Sequence, residues 1–508
     1  MTSIYRHFAN YSPRWVVLLV AAITAGNLAA LFVVGTHTDE AFYWLWSERL
    51  AWGYYDHPPM IAWMIRLFTT VFGDNGVAIR IPAFLTWVSV IVLVYDLGMR
   101  MFPGKNGVSA ISALVLAGAP LFQFGSHIIT PDVPFILFST LSYYLFYRAL
   151  AEDRKLFWVL AGIAIGATAL SKYNAILIPL SLLPVMLATN AGRQAWVRPG
   201  LWLAVVSAAV ISSPVFIWNY LNDWISISYQ LGHGTGFNSR SAGEFLGLYI
   251  SGQMANVLPW LFLVMLVSLV LLYQKLKLNR SLEYWLLSGG FLVPLIFFGI
   301  LGTFSKSEPN WPAMAFVPGS LLAGYLLSQW LFVSEDSPGR GKRWLRNILI
   351  LSTVFSMLLV NLVRYPDWAW LFEKRVIPAN TQIPNIYGWN RLGAAVRENS
   401  NLYFDRKDCT VLSGNHLLAG QLALQLKSAD KISFTPGKRV TQFHIWEKTK
   451  EFSPASSACL YVRTDSGKLP ESTKTSFSNI DWVLVDQVRV LAPDRSTRYY
   501  SIFRREFR

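Results

Sequence analysis

Two acidic residues directly follow the first long apolar segment of the chain, where carboxylates can do acid–base chemistry. Asp39 and Glu40 come after an apolar run that covers residues 15–34. A carboxylate at this boundary can accept a proton from an attacking hydroxyl group, which is the work of a general base. A simpler role is also open, in which both residues only end the apolar segment and lie in water. The aromatic segment that follows them favours the functional interpretation.

This aromatic segment covers residues 41–60 and ends with Asp56, His57 and two prolines. Trp and Tyr side chains are typical of the lipid headgroup layer, because their rings are apolar and their tips are polar. The prolines fix φ and end any helix that precedes them. The sequence therefore predicts an interfacial loop, residues 35–75, that holds carboxylates at the membrane surface.

Further polar and aromatic residues stand near the ends of other apolar segments. They are His127, Asp132, Lys172, Lys306, Glu308 and Trp311. Polar groups at a bilayer are costly and tend to mark a functional site. Each can also have a purely structural role: Asp132 can cap the helix that it begins, and Lys172 can extend its ammonium to the headgroups. His127 can be an ordinary hydrogen-bonded residue. Lys306 and Glu308 can be solvated loop charges, and Trp311 can simply lie at the interface.

The composition indicates a polytopic membrane protein. The 508 residues are 53% hydrophobic and only 14% charged, with a mean hydropathy of +0.37, which is too apolar for one soluble globule. The net charge of +15 is typical of cationic loops that meet anionic lipid, so membrane lipids rather than nucleic acid are the expected partners. No cleavage-site pattern precedes residue 15, and the first apolar run is expected to remain as a span.

Eleven apolar segments are predicted to cross about 30 Å of hydrocarbon. They cover residues 15–34, 77–99, 108–124, 133–150, 157–170, 175–187, 201–218, 257–273, 284–301, 313–332 and 345–363. With the N-terminus in the cytoplasm, every inside loop carries Lys or Arg and the outer loops carry few, as the positive-inside rule requires. All the polar residues named above then fall on the outer side of the membrane.

After residue 363 the composition changes to charges of both signs and alternating β-rich runs. Residues 388–398 read as an amphipathic helix. The predicted strands cover residues 431–434, 442–446, 459–462, 482–490 and 499–503. The sequence therefore predicts a transmembrane domain, 1–363, and a small C-terminal α/β domain, 364–508, which the odd number of spans puts outside. Cys409 and Cys459 both lie in this domain, either as a disulfide in an oxidising compartment or as two buried thiols.

The polar segments together resemble the C-type (GT-C) membrane glycosyltransferases. This superfamily includes the protein O-mannosyltransferases, the lipid A aminoarabinose transferases and the rhizobial lipopolysaccharide galacturonosyltransferases, and the last group is the most similar. The resemblance begins with Asp39-Glu40 and the aromatic loop, and it covers nearly all of the membrane part. It continues through residues 130–134, 170–174, 214–219 and 310–312. The aminoarabinose transferases carry a lysine before the Pro-Pro pair, whereas this chain has His57.

The resemblance implies the GT-C fold, with about 11 transmembrane helices and a small C-terminal α/β periplasmic domain. It also implies a multi-pass protein of the bacterial inner membrane that acts as a monomer on the periplasmic side. The expected reaction moves a sugar, with inversion, from a polyprenyl phosphate-linked donor to an envelope acceptor. This acceptor is lipid A, the lipopolysaccharide core or another glycan. No cofactor is predicted. The acidic and histidine residues include ligand types for a divalent metal, which stays open, but their spacing matches no metal template, and no Gly-rich phosphate loop is present in the sequence.

The same resemblance assigns roles to the candidate residues. Asp39 matches the family's catalytic acidic residue, with Glu40 beside it; if the acceptor is itself a phosphate, Asp39 would position it instead. Charge develops on the departing polyprenyl phosphate, so a cation is expected there. The candidate cations are Lys172, Lys306 and His57. The substrate pocket would be completed by Tyr55, Asp56, Asp132, Glu308 and Trp311, all in one cavity at the periplasmic rim.

Two further classes of function fit a chain with many spans. A transporter or flippase of lipid-linked sugars would place polar groups near the bilayer midplane and have repeated halves. The polar motifs instead collect at one face, and the sequence has no evident repeat, which favours the enzyme. A receptor-like scaffold whose outer domain binds glycans would not need Asp39.

Overall fold

The computed structural model describes the chain in twelve segments. They are residues 12–105, 107–234, 242–276, 281–304, 308–333, 339–365, 387–401, 410–434, 440–448, 458–464, 481–491 and 497–506. Helices account for nearly all of the secondary structure before residue 365, and a small mixed α/β region follows.

The first part of the chain consists of helices and short helical turns. The helices are α1 (Arg14–Val33), α2 (Thr38–Ser47), α3 (Met60–Phe72), α4 (Gly76–Met101), α5 (Val108–Ala117), α6 (Pro120–Gly125), α7 (Asp132–Glu152), α8 (Lys155–Ala169), α9 (Leu177–Ala188), α10 (Asn190–Ala195), α11 (Pro199–Leu221), α12 (Ile225–Gly234), α13 (Ala242–Val257), α14 (Pro259–Leu276), α15 (Leu282–Phe304), α16 (Phe316–Ser328) and α17 (Gly339–Arg364). Short 3-10 turns cover Tyr173–Ile176 and Ala313–Ala315, and a π-helical turn covers Gln329–Val333.

The apolar helices confirm a polytopic α-helical membrane protein. Seven helices in the described ranges are long and apolar enough to cross a membrane, and α13 with α14 makes an eighth if this pair, bent by 98°, is one span. The remaining three predicted spans coincide with shorter apolar helices, at α5, α8 and α9. Every predicted segment is thus helical, but hydropathy alone did not separate the short helices from the long ones.

The later elements form a five-stranded sheet with three helices. They are α18 (Trp389–Asn401), β1 (Thr410–Ser413), α19 (His416–Leu426), β2 (Ile432–Phe434), α20 (Gln442–Lys448), β3 (Ala458–Thr464), β4 (Asp481–Leu491) and β5 (Thr497–Glu506). The strand order is β2-β1-β3-β5-β4. β1 pairs in parallel with β2 and β3, whereas β5 pairs antiparallel with β3 and β4. The small C-terminal α/β region is therefore confirmed.

One predicted strand, residues 442–446, is instead part of helix α20. Its alternating residues suggested a strand, but Phe443 and Trp446 are three positions apart and both are buried, as one face of a helix requires. The His444 ring also accepts a hydrogen bond from the backbone N–H of Thr441 at 3.0 Å, which stabilises the helix start. The sequence patterns did not reveal β1 or α19.

The chain divides into two compact units. The membrane unit comprises Met1–Ala30, His57–Met60 and Pro82–Asn361, and the sheet unit comprises Leu31–Asp56, Ile61–Ile81 and Leu362–Arg508. The core of the membrane unit is a continuous cluster of buried apolar side chains from its helices. The sheet unit takes in segments near residues 35–75 that the sequence-based division placed in the transmembrane domain. The reason is that α2 packs on α19.

The aromatic residues of this loop are packed inside the sheet unit rather than spread in a headgroup layer. Trp44, Trp46 and Tyr54 are fully buried, and the Trp46 and Tyr54 rings stack with centroids 4.5 Å apart. Trp52 is the exposed exception, with 54% of its surface accessible. The prediction that these rings are exposed to a headgroup layer was therefore wrong for most of them, because they pack against other side chains of the protein. The interfacial position of the loop itself stays a prediction.

Candidate active site

Asp39 lies in the first turn of α2, and its side chain is accessible. His37 caps this helix: its ring Nδ1 accepts a hydrogen bond from the Asp39 backbone N–H at 3.2 Å. The carboxylate oxygen Oδ2 of Asp39 lies 3.6 Å from the same ring nitrogen, and 43% of the Asp39 side chain is exposed. The first turn of a helix stabilises a carboxylate through the helix dipole. Asp39 is thus a carboxylate in a fixed and accessible position.

Glu40, the next residue, is completely buried in an ion pair with Arg80. The Arg80 Nη2 lies 2.5 Å from one carboxylate oxygen, and Nε lies 2.9 Å from the other. The backbone N–H of His37 donates to the same carboxylate at 2.8 Å, which completes a capping box at the start of α2. Arg80 also donates to the backbone carbonyls of Val34 and Gly35. This pair ties the end of α1 to α2.

Three further residues near this helix are buried to different degrees. They are the acidic residues Asp56 and Glu48 and the predicted pocket residue Tyr55. Asp56 is 8% exposed and Tyr55 is 7% exposed, and the Tyr55 backbone N–H donates to the Gln442 side chain at 2.7 Å. Glu48, which follows α2, pairs with Arg66 at 2.5 Å. Burial nevertheless raises the pKa of Glu48 above its usual value, because desolvation outweighs the attraction of Arg66.

Within the membrane unit, Lys172 and Asp132 form another ion pair. The Lys172 ammonium donates to Asp132 Oδ1 at 2.7 Å, and the Asn310 amide donates to Asp132 Oδ2 at 2.9 Å. The two charged side chains are 10% and 21% exposed, respectively. The start of α7 has no capping hydrogen bond from a side chain among the described residues, so Asp132 does not act as the helix cap that its position suggested.

The turn that carries Lys172 is held by hydrogen bonds on both sides. The Met60 backbone N–H, at the end of the His57 segment, donates to the Leu170 carbonyl at 2.9 Å. On the other side, the buried Asn219 amide donates to the Tyr173 hydroxyl at 2.9 Å, and this hydroxyl donates to Ser226 at 2.8 Å. These bonds fix the backbone before and after Lys172, so the side chain that carries the ammonium starts from a fixed position.

A pair of buried amides on α13 holds the loop that carries Asn310. Gln253 and Asn256 both donate to the Pro309 carbonyl, at 3.2 Å and 2.7 Å, and both side chains are buried. α13 ends at the sharp bend before Pro259, where Leu258 has a positive φ of 75°. The amide pair thereby links the bent helix to the Asn310–Asp132–Lys172 cluster.

A largely apolar cavity of the membrane unit reaches this cluster. Its walls come from α4, α6 and α7 and from the loop before α16, and Thr130, Asp132 and Asn310 are among its polar lining residues. Two further lining residues, Thr86 and Trp87, are buried side chains whose Oγ1 and Nε1 atoms have no hydrogen-bond partner in the part of the chain that the structure describes. Buried polar atoms of this kind are costly unless a bound molecule satisfies them. The cavity is suited to an apolar ligand with a polar end.

The opposite end of α7 is basic and aromatic. Arg148 and Arg100 both lie 5.9 Å from the ring of Tyr144, and Asp96 pairs with Arg100 at 2.5 Å. α7 has 21 residues and is therefore about 30 Å long. Hence the Asp132–Lys172 cluster and the arginines stand at the two ends of a membrane-length helix.

The remaining predicted residues are placed as follows. Lys306 lies outside the described residues. Glu308 and Trp311 are half-buried, and the Trp311 ring packs against Phe298 with centroids 5.7 Å apart. His57 is half-buried within the membrane unit. Across the described ranges, no group of three or more His, Cys, Asp or Glu residues could hold a metal ion.

Arg80, Gln253, Asn256 and Thr86 are residues of these clusters that were not predicted from the sequence. The sequence does contain a feature that marks Arg80, because an arginine inside an apolar segment needs a buried partner. A weaker feature marks Gln253 and Asn256, since amides three positions apart on an apolar helix lie on one face. No sequence feature marks Thr86, because a hydroxyl in an apolar helix usually bonds its own backbone. The expectation that Asp39 and Lys172 share one cavity stays a prediction.

Comparison with known proteins confirms the resemblance to the C-type membrane glycosyltransferases. Residues 56–218 match the family described as dolichyl-phosphate-mannose-protein mannosyltransferase. The fold is similar to that of ArnT from Cupriavidus metallidurans, solved with bound undecaprenyl phosphate, with a TM-score of 0.64 and 17% identity over 96% of this chain and 98% of that one. The chain therefore has the GT-C fold.

Two glycosyltransferases are similar to this chain in sequence. The lipid A galacturonosyltransferase RgtD of Rhizobium johnstonii is 29% identical over 62% of this chain and 66% of its own length. The undecaprenyl phosphate-alpha-4-amino-4-deoxy-L-arabinose arabinosyl transferase 1 of Pseudomonas fluorescens is 28% identical over 63% of this chain and 56% of its own length. The chain thus spans between about half and two thirds of the length of these relatives.

Proposed function

We propose that this protein is an integral membrane glycosyltransferase that moves a sugar from a polyprenyl phosphate-linked donor to an envelope acceptor, with inversion. The observation that carries the proposal is the apolar cavity lined by Asp132 and Asn310, beside the ammonium of Lys172. A polyprenyl phosphate has an apolar chain and an anionic end. The apolar walls of the cavity match the chain, and the ammonium beside the cavity matches the anionic end. The GT-C fold and the named relatives support the same reaction.

Lys172 is proposed to hold the donor phosphate. An ammonium has three N–H donors, and Asp132 takes one of them, so the others can reach phosphate oxygens. Negative charge grows on the phosphate as the glycosidic bond breaks, and a cation fixed before the reaction stabilises that charge. Asp132 gives this partly buried ammonium a counterion when no donor is bound. His57 and Lys306 are proposed as further phosphate contacts.

Asp39 is proposed to act on the acceptor. Its accessible carboxylate can accept the proton of an attacking hydroxyl, or position the acceptor if the nucleophile is a phosphate. Glu40 was predicted beside it as a second acidic catalytic residue. The buried contacts of Glu40 with Arg80 and His37 favour a positioning role instead, because both carboxylate oxygens already accept hydrogen bonds. Asp56, Tyr55, Glu308 and Trp311 remain proposed pocket residues.

For the donor sugar we favour a uronic acid, and for the acceptor lipid A. RgtD supports this choice, and so does His57 in the place of the lysine of the aminoarabinose transferases. The inner membrane, with a monomeric protein whose Asp39 and C-terminal region face the periplasm, is the proposed location. The basic end of α7 supports this orientation under the positive-inside rule. Cys459 is disulfide-bonded, which is typical of an oxidising compartment; Cys409, the other cysteine of the chain, lies outside the described residues.

A transfer assay with the purified full-length protein in detergent tests the reaction. Polyprenyl phosphate-galacturonic acid and polyprenyl phosphate-aminoarabinose would each be supplied with lipid A, and mass spectrometry would detect the sugar added to the acceptor. Transfer is expected from the uronic acid donor. A transporter needs two compartments and would make no product in detergent, so failure with every donor, while the same protein moves lipid-linked sugar across vesicles, would favour the transporter.

A further inference from the structure

A glycine in the interior of α19 lies directly against the backbone of α2. Gly420 is the fifth residue of α19, where glycine costs about 1 kcal/mol relative to alanine. A Cβ at this position would lie 2.8 Å from the Phe42 backbone nitrogen and 3.1 Å from the Ala41 carbonyl carbon. These are backbone atoms and cannot move aside as a side chain would. Glycine therefore permits an approach of the two helices that no other residue allows.

The next residue of α19 holds the chain on the other side of Asp39. The buried Gln421 amide donates to the Thr36 carbonyl at 2.9 Å. Thr36 precedes Asp39 by three positions, and Ala41 and Phe42 follow it by two and three. α19 thus contacts the backbone both before and after the proposed catalytic carboxylate.

Aromatic side chains of the C-terminal region extend this contact along α2. The Phe42 ring packs near His416 and Phe443, with ring centroids 5.2 Å and 6.0 Å away. Beyond the helix end, the Arg49 guanidinium lies 5.1 Å from the centroid of the Trp446 ring. One face of α2 and the segment after it are therefore packed against elements that are nearly 400 positions away in the sequence.

α2 needs such contacts because it is too short to be stable alone. It has ten residues, and isolated helices shorter than about 12 residues are marginal in water. Its direction is consequently set by tertiary contacts, which include the Arg80–Glu40 pair and the packing on α19. A shift of α2 would move the Asp39 carboxylate with it.

We propose that α19, through Gly420 and Gln421, is a positioning element that fixes the place of Asp39. The C-terminal sheet region is then required for turnover itself, and its contribution does not depend on binding the donor. This inference rests on the proposed role of Asp39 in acceptor activation. Gly420 and Gln421 are positioning residues, because they act through α2.

Hydrogen exchange on the full-length protein tests the structural half of the proposal. In Gly420→Ala, the amides of residues 38–47 are expected to exchange at least about tenfold faster, because the added Cβ forces α2 away and weakens its local stability. Gly393→Ala is the matched control: its Cβ would lie 2.7 Å from the Gln425 side chain near the end of α19, and its three nearest neighbours include no atom of α2. Unchanged exchange in α2, or an equal increase in both variants, would overturn the inference.

Steady-state kinetics test the functional half. The kcat of Gly420→Ala is expected to fall about tenfold or more while the KM for the donor stays within about twofold, because Asp39 moves and the donor site does not. Gln421→Met keeps the helix packing and removes one hydrogen bond, so its kcat should fall about threefold. It also serves as the test if Gly420→Ala does not fold.

The outcomes separate this inference from the proposed function. Faster exchange in α2 together with a wild-type kcat would show that α19 does not position a catalytic group. Wild-type transfer with unchanged exchange in Gly420→Ala contradicts the inference alone. Absence of transfer by the wild-type protein with every donor would contradict the proposed function and this inference together.

Discussion

Two ion pairs of this protein, Glu40–Arg80 and Asp132–Lys172, differ in how far they are exposed. Glu40 and Arg80 are 0% and 1% exposed, and each carboxylate oxygen accepts at least one hydrogen bond from Arg80. Asp132 and Lys172 are 21% and 10% exposed, and Asp132 lines an apolar cavity. The first pair joins helix ends, whereas the second keeps a cation beside that cavity.

Exposure and a neighbouring cavity distinguish a functional charge from a structural one in a membrane protein. A buried ion pair whose members satisfy each other has no capacity left for a ligand, and its removal mainly damages folding. A pair that remains partly accessible beside a cavity can exchange one partner for a substrate. Substitutions at the two pairs should therefore have different effects on stability and on donor binding.

The largest effect is expected from Glu40→Gln, which leaves Arg80 buried without a full negative partner. The free energy of unfolding should fall by about 3–5 kcal/mol, as when one member of a buried ion pair is removed. The apparent thermal midpoint of the purified protein in detergent measures this loss. Glu48→Gln is the matched control, since its pair with Arg66 is partly exposed and should contribute about 1 kcal/mol or less.

A double variant makes the comparison sharper. Glu40→Leu with Arg80→Met removes both charges and should recover much of the stability lost in Glu40→Gln. If Glu40→Gln melts at the wild-type temperature and yet transfers no sugar, Glu40 takes part in the chemistry and the contrast between the two pairs is wrong.

Lys172→Met should affect the protein in the opposite way to Glu40→Gln. Its effect on stability should be weak, and its effect on the affinity for the donor should be strong. Loss of a hydrogen bond to a charged phosphate costs about 1.5–3 kcal/mol, so the Kd for polyprenyl phosphate should rise about 10- to 100-fold. Titration of polyprenyl phosphate into the detergent-solubilised protein measures the Kd. Lys155→Met, at the exposed start of α8, is the control and should bind as the wild type does. Equal affinity in both variants would remove Lys172 from the donor site.

A smaller effect is expected when the α13 amides no longer hold the Pro309 carbonyl. Asn256→Leu removes the shorter of the two hydrogen bonds, and each such bond contributes about 1 kcal/mol. The KM for the donor should rise about fivefold, because Asn310 and Asp132 lose their fixed place. Asn361→Leu, whose amide donates to the Met357 carbonyl within α17, is the control. A donor KM that does not change would show that the loop is held without α13.

The smallest effect is expected at Thr86, a cavity hydroxyl that finds no hydrogen-bond partner among the described residues. Thr86→Val keeps the shape and removes the donor, so polyprenyl phosphate should bind about two- to tenfold more weakly if the ligand satisfies this group. Tighter binding, or greater stability with unchanged binding, would instead show that the hydroxyl faces only apolar atoms when the ligand is bound.

The helices of the membrane part could be predicted from the sequence because long apolar runs have few other ways to fold. The span predicted at 133–150 is α7, Asp132–Glu152, and the one predicted at 345–363 lies within α17, Gly339–Arg364. The short helices were counted as spans because hydropathy reports composition and not the path of the chain. Helix α20 was predicted as a strand because five residues are too few to distinguish a period of 2 from one of 3.6.

The candidate site could be predicted only in part. Asp132 and Lys172 were identified from their positions at the ends of apolar segments, but their direct pairing, through residues 40 positions apart, was not. The sequence could not distinguish the roles of Asp39 and Glu40, since it does not show which of two neighbouring side chains is buried. Their different roles depend on Arg80, whose ion-pair partner could not be identified before the fold was known.

The most direct test of the account is the rate of sugar transfer by Asp39→Asn, measured with purified protein at saturating donor and lipid A. Asparagine keeps the size and the helix position and removes the basic carboxylate, so kcat should fall by a factor of about 100 to 10,000 with no change in thermal midpoint or polyprenyl phosphate affinity. A folded Asp39→Asn protein that transfers sugar at the wild-type rate would contradict the account.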